Sequence, residues 1–267
     1  AQAILFDYLF PQDVKKAVQE TKETVLPCVP PLWHQLMSKP WVEDHASLRI
    51  LTNTGGRLSV ELIEKMRAYF PDAELFSMYG LTEAFRSTYL DPKEIDRIPT
   101  SIGKAIPGEE ILVMRDAETI AADEEVGELI HIGRMVTQGY WRNEEKTLQK
   151  FRSVPKCSRF YGYYDHAVWS GDKVWRDGDG YLYFVGRDDE MIKTSGYRVS
   201  PTELEAAAMR CDGVDQAFAV GIPDLKLGEA IHLVLSGDKS DQPTDAGCPD
   251  RPAAGAVARL PRERPDG

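Results

Sequence analysis

The stretch Gly186-Arg-Asp-Asp-Glu-Met-Ile-Lys-Thr-Ser-Gly-Tyr-Arg-Val-Ser-Pro-Thr-Glu-Leu-Glu205 constrains this chain more than any other. Its second half is legible from local physics. Ser200, Pro201 and Glu203 fall at the N-cap, first and third positions of a helix, a capping box with proline where its missing N–H costs nothing. Leu204, Ala207, Ala208 and Cys211 then share one helical face, so a helix is expected from about Pro201. Upstream, Tyr181-Leu-Tyr-Phe-Val185 reads as a strand. Between the two, Arg187, Asp188, Asp189, Glu190, Lys193 and Arg198 crowd charges of both signs around Gly196. Taken alone, a charged segment is a solvated loop. A strand, a charged joint and a capped helix in succession suggest instead a connection between two bodies.

The chain before this joint has two textures. Asp13 to Glu23 is a polar helical stretch, and Thr24 to Pro31 a short buried strand ended by prolines. Leu32, Leu36 and Met37 continue as a helix face. Leu48 to Thr52 is a second strand, Leu58 to Phe70 an amphipathic helix starting near Ser59, and Ala73 to Met78 a third strand. Strand, helix, strand order predicts a parallel α/β layer. Loops leave its strands at Gly55-Gly56 and at Tyr79-Gly80, and ligands on such sheets bind beyond the carboxyl ends of the strands. From Ser101 short strands follow, at Glu110–Met114, Gly127–Ile132 and Lys173–Trp175, with Asp177-Gly-Asp-Gly180 as a hairpin loop. This reads as a β-barrel-like subdomain. Tyr140-Trp141 and Tyr161 to Tyr164 read as its core or its interface.

Past the joint, Ala217–Ile222 and Ala230–Leu235 read as strands of a small α+β domain, and the proline-rich tail predicts disorder. The expected organisation is α/β and α+β. Residues 1–100 form part of a large α/β subdomain, 101–185 a β subdomain, 186–189 a hinge, 190–237 a partial mobile C-terminal domain, and 238–267 the tail.

Net charge is −11 and the isoelectric point about 5.0, which argues against a nucleic-acid-binding surface. No apolar run approaches the length of a membrane span, and the first residues carry no signal-peptide pattern. Cys28, Cys157, Cys211 and Cys248 are not at CxxC spacing, which disfavours zinc. They read as free thiols in a reducing compartment, hence a cytoplasmic location.

Three motifs in one order carry a resemblance: Tyr79-Gly-Leu-Thr-Glu-Ala84, Ser170-Gly-Asp172 and the Gly186–Glu205 stretch. Over about residues 20 to 237 the chain resembles the adenylate-forming enzymes: acyl-CoA ligases, luciferases and adenylation domains of peptide synthetases. Tyr79 to Leu90 and Met191 to Pro201 resemble acyl-CoA ligases linked to exosortase and exopolysaccharide gene clusters. The resemblance implies AMP-forming ligation. A small carboxylic acid and ATP with Mg²⁺ give an acyl-adenylate, and a thiol, of CoA or of a carrier-protein arm, then takes the acyl group.

The resemblance assigns roles that suit the residue types. Tyr79 offers a ring to adenine, with the backbone at Gly55, Gly56 and Gly80 close by. Thr82 offers a hydroxyl to the α-phosphate, and Glu83 a hard oxygen to Mg²⁺. Asp172 can accept from both ribose hydroxyls, and Arg187 supplies a cationic fork near ribose or phosphate. Asp189 matches the hinge; Lys193 and Gly196 match positions that face the site during thiol transfer, and Arg198 matches a phosphate contact. Trp33, His34 and Arg57 are expected wall residues of the acyl pocket.

Two family features have no counterpart here: a Ser/Thr/Gly-rich phosphate loop before the adenine motif, and a catalytic lysine in a Gly-Lys pair near the end. The chain is therefore expected to be a fragment with a frame-shifted tail, binding adenylate but adenylating poorly. The alternative of a different class is a non-catalytic nucleotide-binding remnant.

Overall fold

A computed structural model describes residues 2–41, 44–188, 190–194, 197–211, 213–214, 216–224, 227–237 and 257–259. The chain divides into two compact units, residues 1–170 with 175–184, and residues 171–174 with 185–267.

The first unit begins with helix α1 (Pro11–Thr21), whose Asp13 carboxylate accepts from the Leu9 and Phe10 amides and whose Val14 and Val18 are buried. Lys15 is also buried on α1. Its ammonium donates to the carbonyls of Lys39 and Pro40, both at 3.1 Å, so the charge keeps hydrogen bonds after leaving water. Strand β1 (Val25–Cys28) follows, then α2 (Pro30–Met37). Pro30 and Pro31 thus open a helix, where the sequence reading took them only as the end of a strand; proline is tolerated in the first turn because those N–H groups have no helical partner. Strand β2 (Ile50–Asn53), helix α3 (Val60–Tyr69) and strand β3 (Glu74–Tyr79) complete the expected layer. The Ser59 hydroxyl caps α3, accepting from the Leu62 amide at 3.2 Å. β1, β2 and β3 pair in parallel. Leu26, Trp33, Leu36, Leu51, Ile63, Met66 and Leu75 fill the space between the helices and these strands.

Two further strands, β4 (Thr88–Leu90) and β5 (Lys104–Ala105), extend this sheet antiparallel to the order β1-β2-β3-β4-β5. They are too short to leave a periodic signal in the sequence. The β subdomain comprises β6 (Glu110–Met114), β7 (Gly127–Ile132), helix α4 (Glu144–Lys150), β8 (Phe151–Arg152), β9 (Ala167–Arg176) and β10 (Leu182–Arg187). The sheet order is β10-β9-β7-β6, with β8 on β9. β9 is far longer than the predicted Lys173–Trp175. Ser170 and Asp172 interrupt its apolar pattern, yet Ser170 stays satisfied in the sheet by donating to the Leu129 carbonyl at 2.7 Å. The predicted hairpin loop is present: Asp177 Oδ1 accepts from the amides of Asp179 and Tyr181, and Trp175 stacks on Tyr183 across it.

The aromatic stretch departs from expectation. Tyr164 and Phe160 pack on the subdomain core, but Trp141 is 86% exposed and Tyr161 and Tyr163 are exposed as well. These rings sit on loops, whose residues have no alternating face to bury.

In the second unit, hairpin β11 (Ile192–Thr194) and β12 (Tyr197–Val199) leads into helix α5 (Pro201–Met209). β13 (Gln216–Asp224) and β14 (Gly228–Ser236) form a long antiparallel hairpin, and the sheet order is β12-β11-β14-β13. α5 begins at Pro201 as expected and buries Leu204 and Ala208, Leu204 packing in one cluster with Ile192 and Ala219. Glu205 tethers it by accepting from the Ala219 amide at 3.0 Å. Within the stretch read as a disordered tail, β15 (Val257–Arg259) pairs in parallel with β14; residues 238–256 and 260–267 lie outside the described ones. Cys28 and Cys157 are free thiols. Cys211 corrects the expectation of free cysteines throughout, being disulfide-bonded. Among the described residues, no helix is long and apolar enough to cross a membrane.

Candidate functional site

In the first unit the loops after β2 and β3 start side by side, because the strands are parallel neighbours with Asn53 opposite Ser77. The Asn53 amide nitrogen donates to the Gly56 carbonyl at 2.8 Å, shaping the first loop, and Gly55 holds a left-handed φ of 77° within it. Trp33, expected as a pocket wall, is instead wholly buried behind this loop, donating from its indole N–H to the Thr52 carbonyl.

Tyr79 is the last residue of β3, not a loop residue. Its ring stacks on His131 of β7, centroids 5.9 Å and planes 18° apart, and lies tilted against Phe184 at 6.3 Å. His131 is fully buried, and neither ring nitrogen has a hydrogen-bond partner in the structure. Burial pushes its pKa down to about 3, so the imidazole beside Tyr79 is neutral.

The chain then turns sharply. A Cβ on Gly80 would stand 2.3 Å from the Arg86 amide nitrogen, so only glycine lets the two strands of the turn approach. Leu81 and Ala84 exchange backbone hydrogen bonds at 3.1 and 3.3 Å. This tight turn carries Thr82 exposed and Glu83 half-buried. The Glu83 carboxylate accepts from the Tyr140 hydroxyl, and its backbone carbonyl accepts from the Thr137 amide at 2.8 Å. The structure therefore brings Gly55, Gly56, Tyr79, Gly80, Thr82 and Glu83 to one edge of the sheet.

The second unit gathers its own set. Asp172 is nearly buried on β9, and Arg187 Nη1 lies 3.7 Å from its Oδ1; Arg187 Nε also lies 3.8 Å from Glu190. The Asp188 amide donates to the Gly171 carbonyl at 2.9 Å, and Lys173 pairs with Asp188 at 3.4 Å. Lys193 is exposed on β11, directly opposite Arg198 on β12. Its amide donates to Glu229 at 2.5 Å. Asp189 and Gly196 lie outside the described residues.

Among the described residues no three His, Cys, Asp or Glu side chains converge as a metal cage. A single accessible carboxylate such as Glu83 nonetheless fits Mg²⁺, which takes one or two protein carboxylates and completes its shell with phosphate and water.

A profile described as AMP-binding enzyme matches residues 2–141. The chain belongs to the AMP-binding enzyme family. Acyl-CoA ligase sidI of Aspergillus fumigatus is 30% identical over 243 residues, 88% of this chain and 40% of that protein. The L-proline–[L-prolyl-carrier protein] ligase of Streptomyces coelicolor is 34% identical over 209 residues, 76% of this chain and 37% of that one. The chain thus spans about two fifths of the length of these relatives. Its fold is also that of a solved AMP-binding enzyme, o-succinylbenzoate CoA synthetase from Bacillus subtilis bound to its acyl-adenylate intermediate. The TM-score is 0.76 at 23% identity, over 95% of this chain and 51% of that one. ATP-bound MatB from Rhodopseudomonas palustris aligns at TM-score 0.74 and 26% identity, over 88% of this chain and 44% of that one.

Sequence reasoning missed two residues at this edge of the AMP-binding fold. Tyr140 reads in sequence as core or interface, and no local pattern ties its hydroxyl to Glu83. His131 is the one titratable residue between apolar neighbours in Leu129-Ile-His-Ile132, a polar intrusion that marks a special position.

Proposed function

We propose that this chain carries the adenylate-binding part of an AMP-forming acyl-CoA ligase acting in the cytoplasm. The observation that carries the reading is the Tyr79-to-Ala84 turn at the carboxyl end of β3, beside the Gly55-Gly56 loop of β2. In the proposed site the adenine lies against Tyr79, beside the Gly55-Gly56 backbone. Thr82 donates its hydroxyl proton to an α-phosphate oxygen, and the resemblance of Ser170-Gly-Asp172 assigns Asp172, with Arg187 beside it, to the ribose hydroxyls. Bound through Glu83, Mg²⁺ would supply charge neutralisation on the phosphate oxygens.

The reaction has two steps. A carboxylate oxygen bonds to the α-phosphorus as the bond to the bridging oxygen breaks, releasing pyrophosphate. A thiolate then attacks the acyl carbon, and AMP leaves with the bonding pair. The protein's part in the first step is alignment and neutralisation of charge. In the second, we assign Lys193 and Gly196 to the orientation that admits the thiol, reached by rotation at Asp189, and Arg198 to a phosphate contact. The likeness to the prolyl-carrier protein ligase favours a second reading, in which the thiol belongs to a carrier-protein arm.

Calorimetric titration of AMP tests the site. Saturable binding that Tyr79→Ala weakens about 10-fold or more, the scale of one lost base–aromatic stack, supports it. Equal affinities in the two proteins reject it. Pyrophosphate release over a panel of carboxylic acids, followed by acyl transfer to CoA or to a carrier protein, then tests the ligase reaction and its acceptor.

A further inference from the structure

We propose that Tyr140 is a positioning residue for Glu83, holding its carboxylate in the attitude that receives phosphate-bound Mg²⁺. The inference rests on the reading of Glu83 as the metal ligand, and goes beyond it in naming what aims that ligand.

Glu83 sits on a short turn, and nothing in such a turn fixes a three-bond side chain by itself. Tyr140, 57 positions away in sequence, fixes it from outside by donating its hydroxyl proton to Oε1. One carboxylate oxygen is thereby occupied by a donor while the other stays available to a cation. Outer partners of this kind orient metal ligands generally, and a bond to an ionised acceptor is the stronger sort.

The surrounding contacts hold Tyr140 still enough to do this. The backbone of its loop is fastened to the Glu83 turn by the antiparallel bridge between Ala84 and Val136, which includes the Thr137 amide donating to the Glu83 carbonyl. The Tyr140 amide donates to the Thr147 hydroxyl at 2.9 Å, and that hydroxyl donates to the Asn143 carbonyl at 2.8 Å. Asn143 caps α4, accepting from the Lys146 amide at 3.1 Å. The tyrosine is thus mounted on the first turn of a capped helix. Its ring meets Phe151 edge-on, centroids 5.9 Å apart. Tyr140 also lines a cavity of about 620 Å³, together with Trp141, Arg142 and Asn143.

Tyr140→Phe removes the donor and keeps the ring packing. The experiment measures the Mg²⁺ concentration giving half-maximal ATP binding, and separately the affinity for AMP without metal. Wild type, Tyr140→Phe, Glu83→Gln and the double variant are compared. The expected result is a rise of about 10-fold in the Mg²⁺ requirement of Tyr140→Phe, the scale of a lost outer partner, with AMP affinity unchanged. In the Glu83→Gln background Tyr140→Phe should add nothing. An equal loss for AMP and for Mg²⁺-dependent ATP binding would mean a merely structural role and overturn the inference. So would an unchanged or a lower Mg²⁺ requirement. If Glu83→Gln itself leaves the Mg²⁺ requirement untouched, the metal reading of Glu83 has failed, a result distinct from failure of the Tyr140 assignment alone.

Discussion

The ring of Tyr79 lies on the imidazole of His131, 5.9 Å between centroids and 18° between planes, and that imidazole is fully enclosed. Burial lowers its pKa from 6.5 to about 3. Between those values the unfolded chain binds a proton that the native chain does not, so stability rises with pH there. The contribution is whole above pH 6.5 and is lost as the pH falls through the window. At pH 5 this group should lower the unfolding free energy by about 2 kcal/mol relative to pH 7. Glu109 acts oppositely, because burial raises its pKa. The comparison with His131→Val isolates the histidine. Urea midpoints at pH 5 and pH 7 should diverge in wild type by that amount more than in the variant. Equal pH dependence in the two proteins would show that His131 is not held neutral.

Gly80 tests the turn on which the nucleotide reading depends. Its Cβ position lies 2.3 Å from the Arg86 amide nitrogen and 2.7 Å from the Arg86 Cα, both backbone atoms that cannot rotate away. Gly80→Ala should therefore shift the turn and cost about 2 kcal/mol, as overpacking does elsewhere. Calorimetric melting reads the loss. AMP titration should show a weaker site, since Thr82 and Glu83 ride on the same turn. A variant that melts and binds like wild type would show that the chain relaxes there without moving the site.

The layered order of the fold was legible because its elements are local. Ser59 and Ser200 announce their helices by capping, and β1, β2 and β3 by short apolar runs. The motif residues at Tyr79, Glu83 and Asp172 were legible through resemblance, since each alone is an ordinary surface type. What escaped the sequence depends on distant partners. β4 exists as a strand through pairing with β3, at Ser77–Leu90 and beyond, and β5 through pairing with β4, and their own residues carry no period. The Tyr140–Glu83 bond joins residues 57 apart, and the His131–Tyr79 stack joins two sheets. Trp141 shows the converse, a large ring expected in the core or at an interface and found 86% exposed, because a loop has no buried face to give it.

Asp172 is assigned to the ribose. It is nearly buried, with Arg187 Nη1 at 3.7 Å from Oδ1, so a neutral replacement loses charge with little change of shape. Asp172→Asn should weaken AMP about 10-fold, the scale of hydrogen bonds to a charged acceptor. The affinity for 2′,3′-dideoxy-AMP should differ little between the two proteins, because that ligand offers no hydroxyl to lose. A variant that weakens both nucleotides equally would place the effect in folding or in Arg187, and remove Asp172 from the ribose.

Ser200 makes two bonds with one buried hydroxyl. It accepts from the Glu203 amide at 3.4 Å, capping α5, and donates to the Val185 carbonyl at 2.6 Å, tying the helix start to β10. Ser200→Ala removes the cap and leaves the Val185 carbonyl without that donor, a combined loss of about 2 kcal/mol. The second unit also holds α5 by a small apolar cluster of Ile192, Leu204 and Ala219 and by the Glu205–Ala219 bond, neither of which replaces the cap. Hydrogen exchange should therefore accelerate at the α5 amides in the variant while those of α3, in the first unit, keep their wild-type rates. Unchanged exchange in α5 would show that the apolar cluster and the Glu205–Ala219 bond fix this helix without the cap. Faster exchange in both helices would show instead that the two units unfold as one.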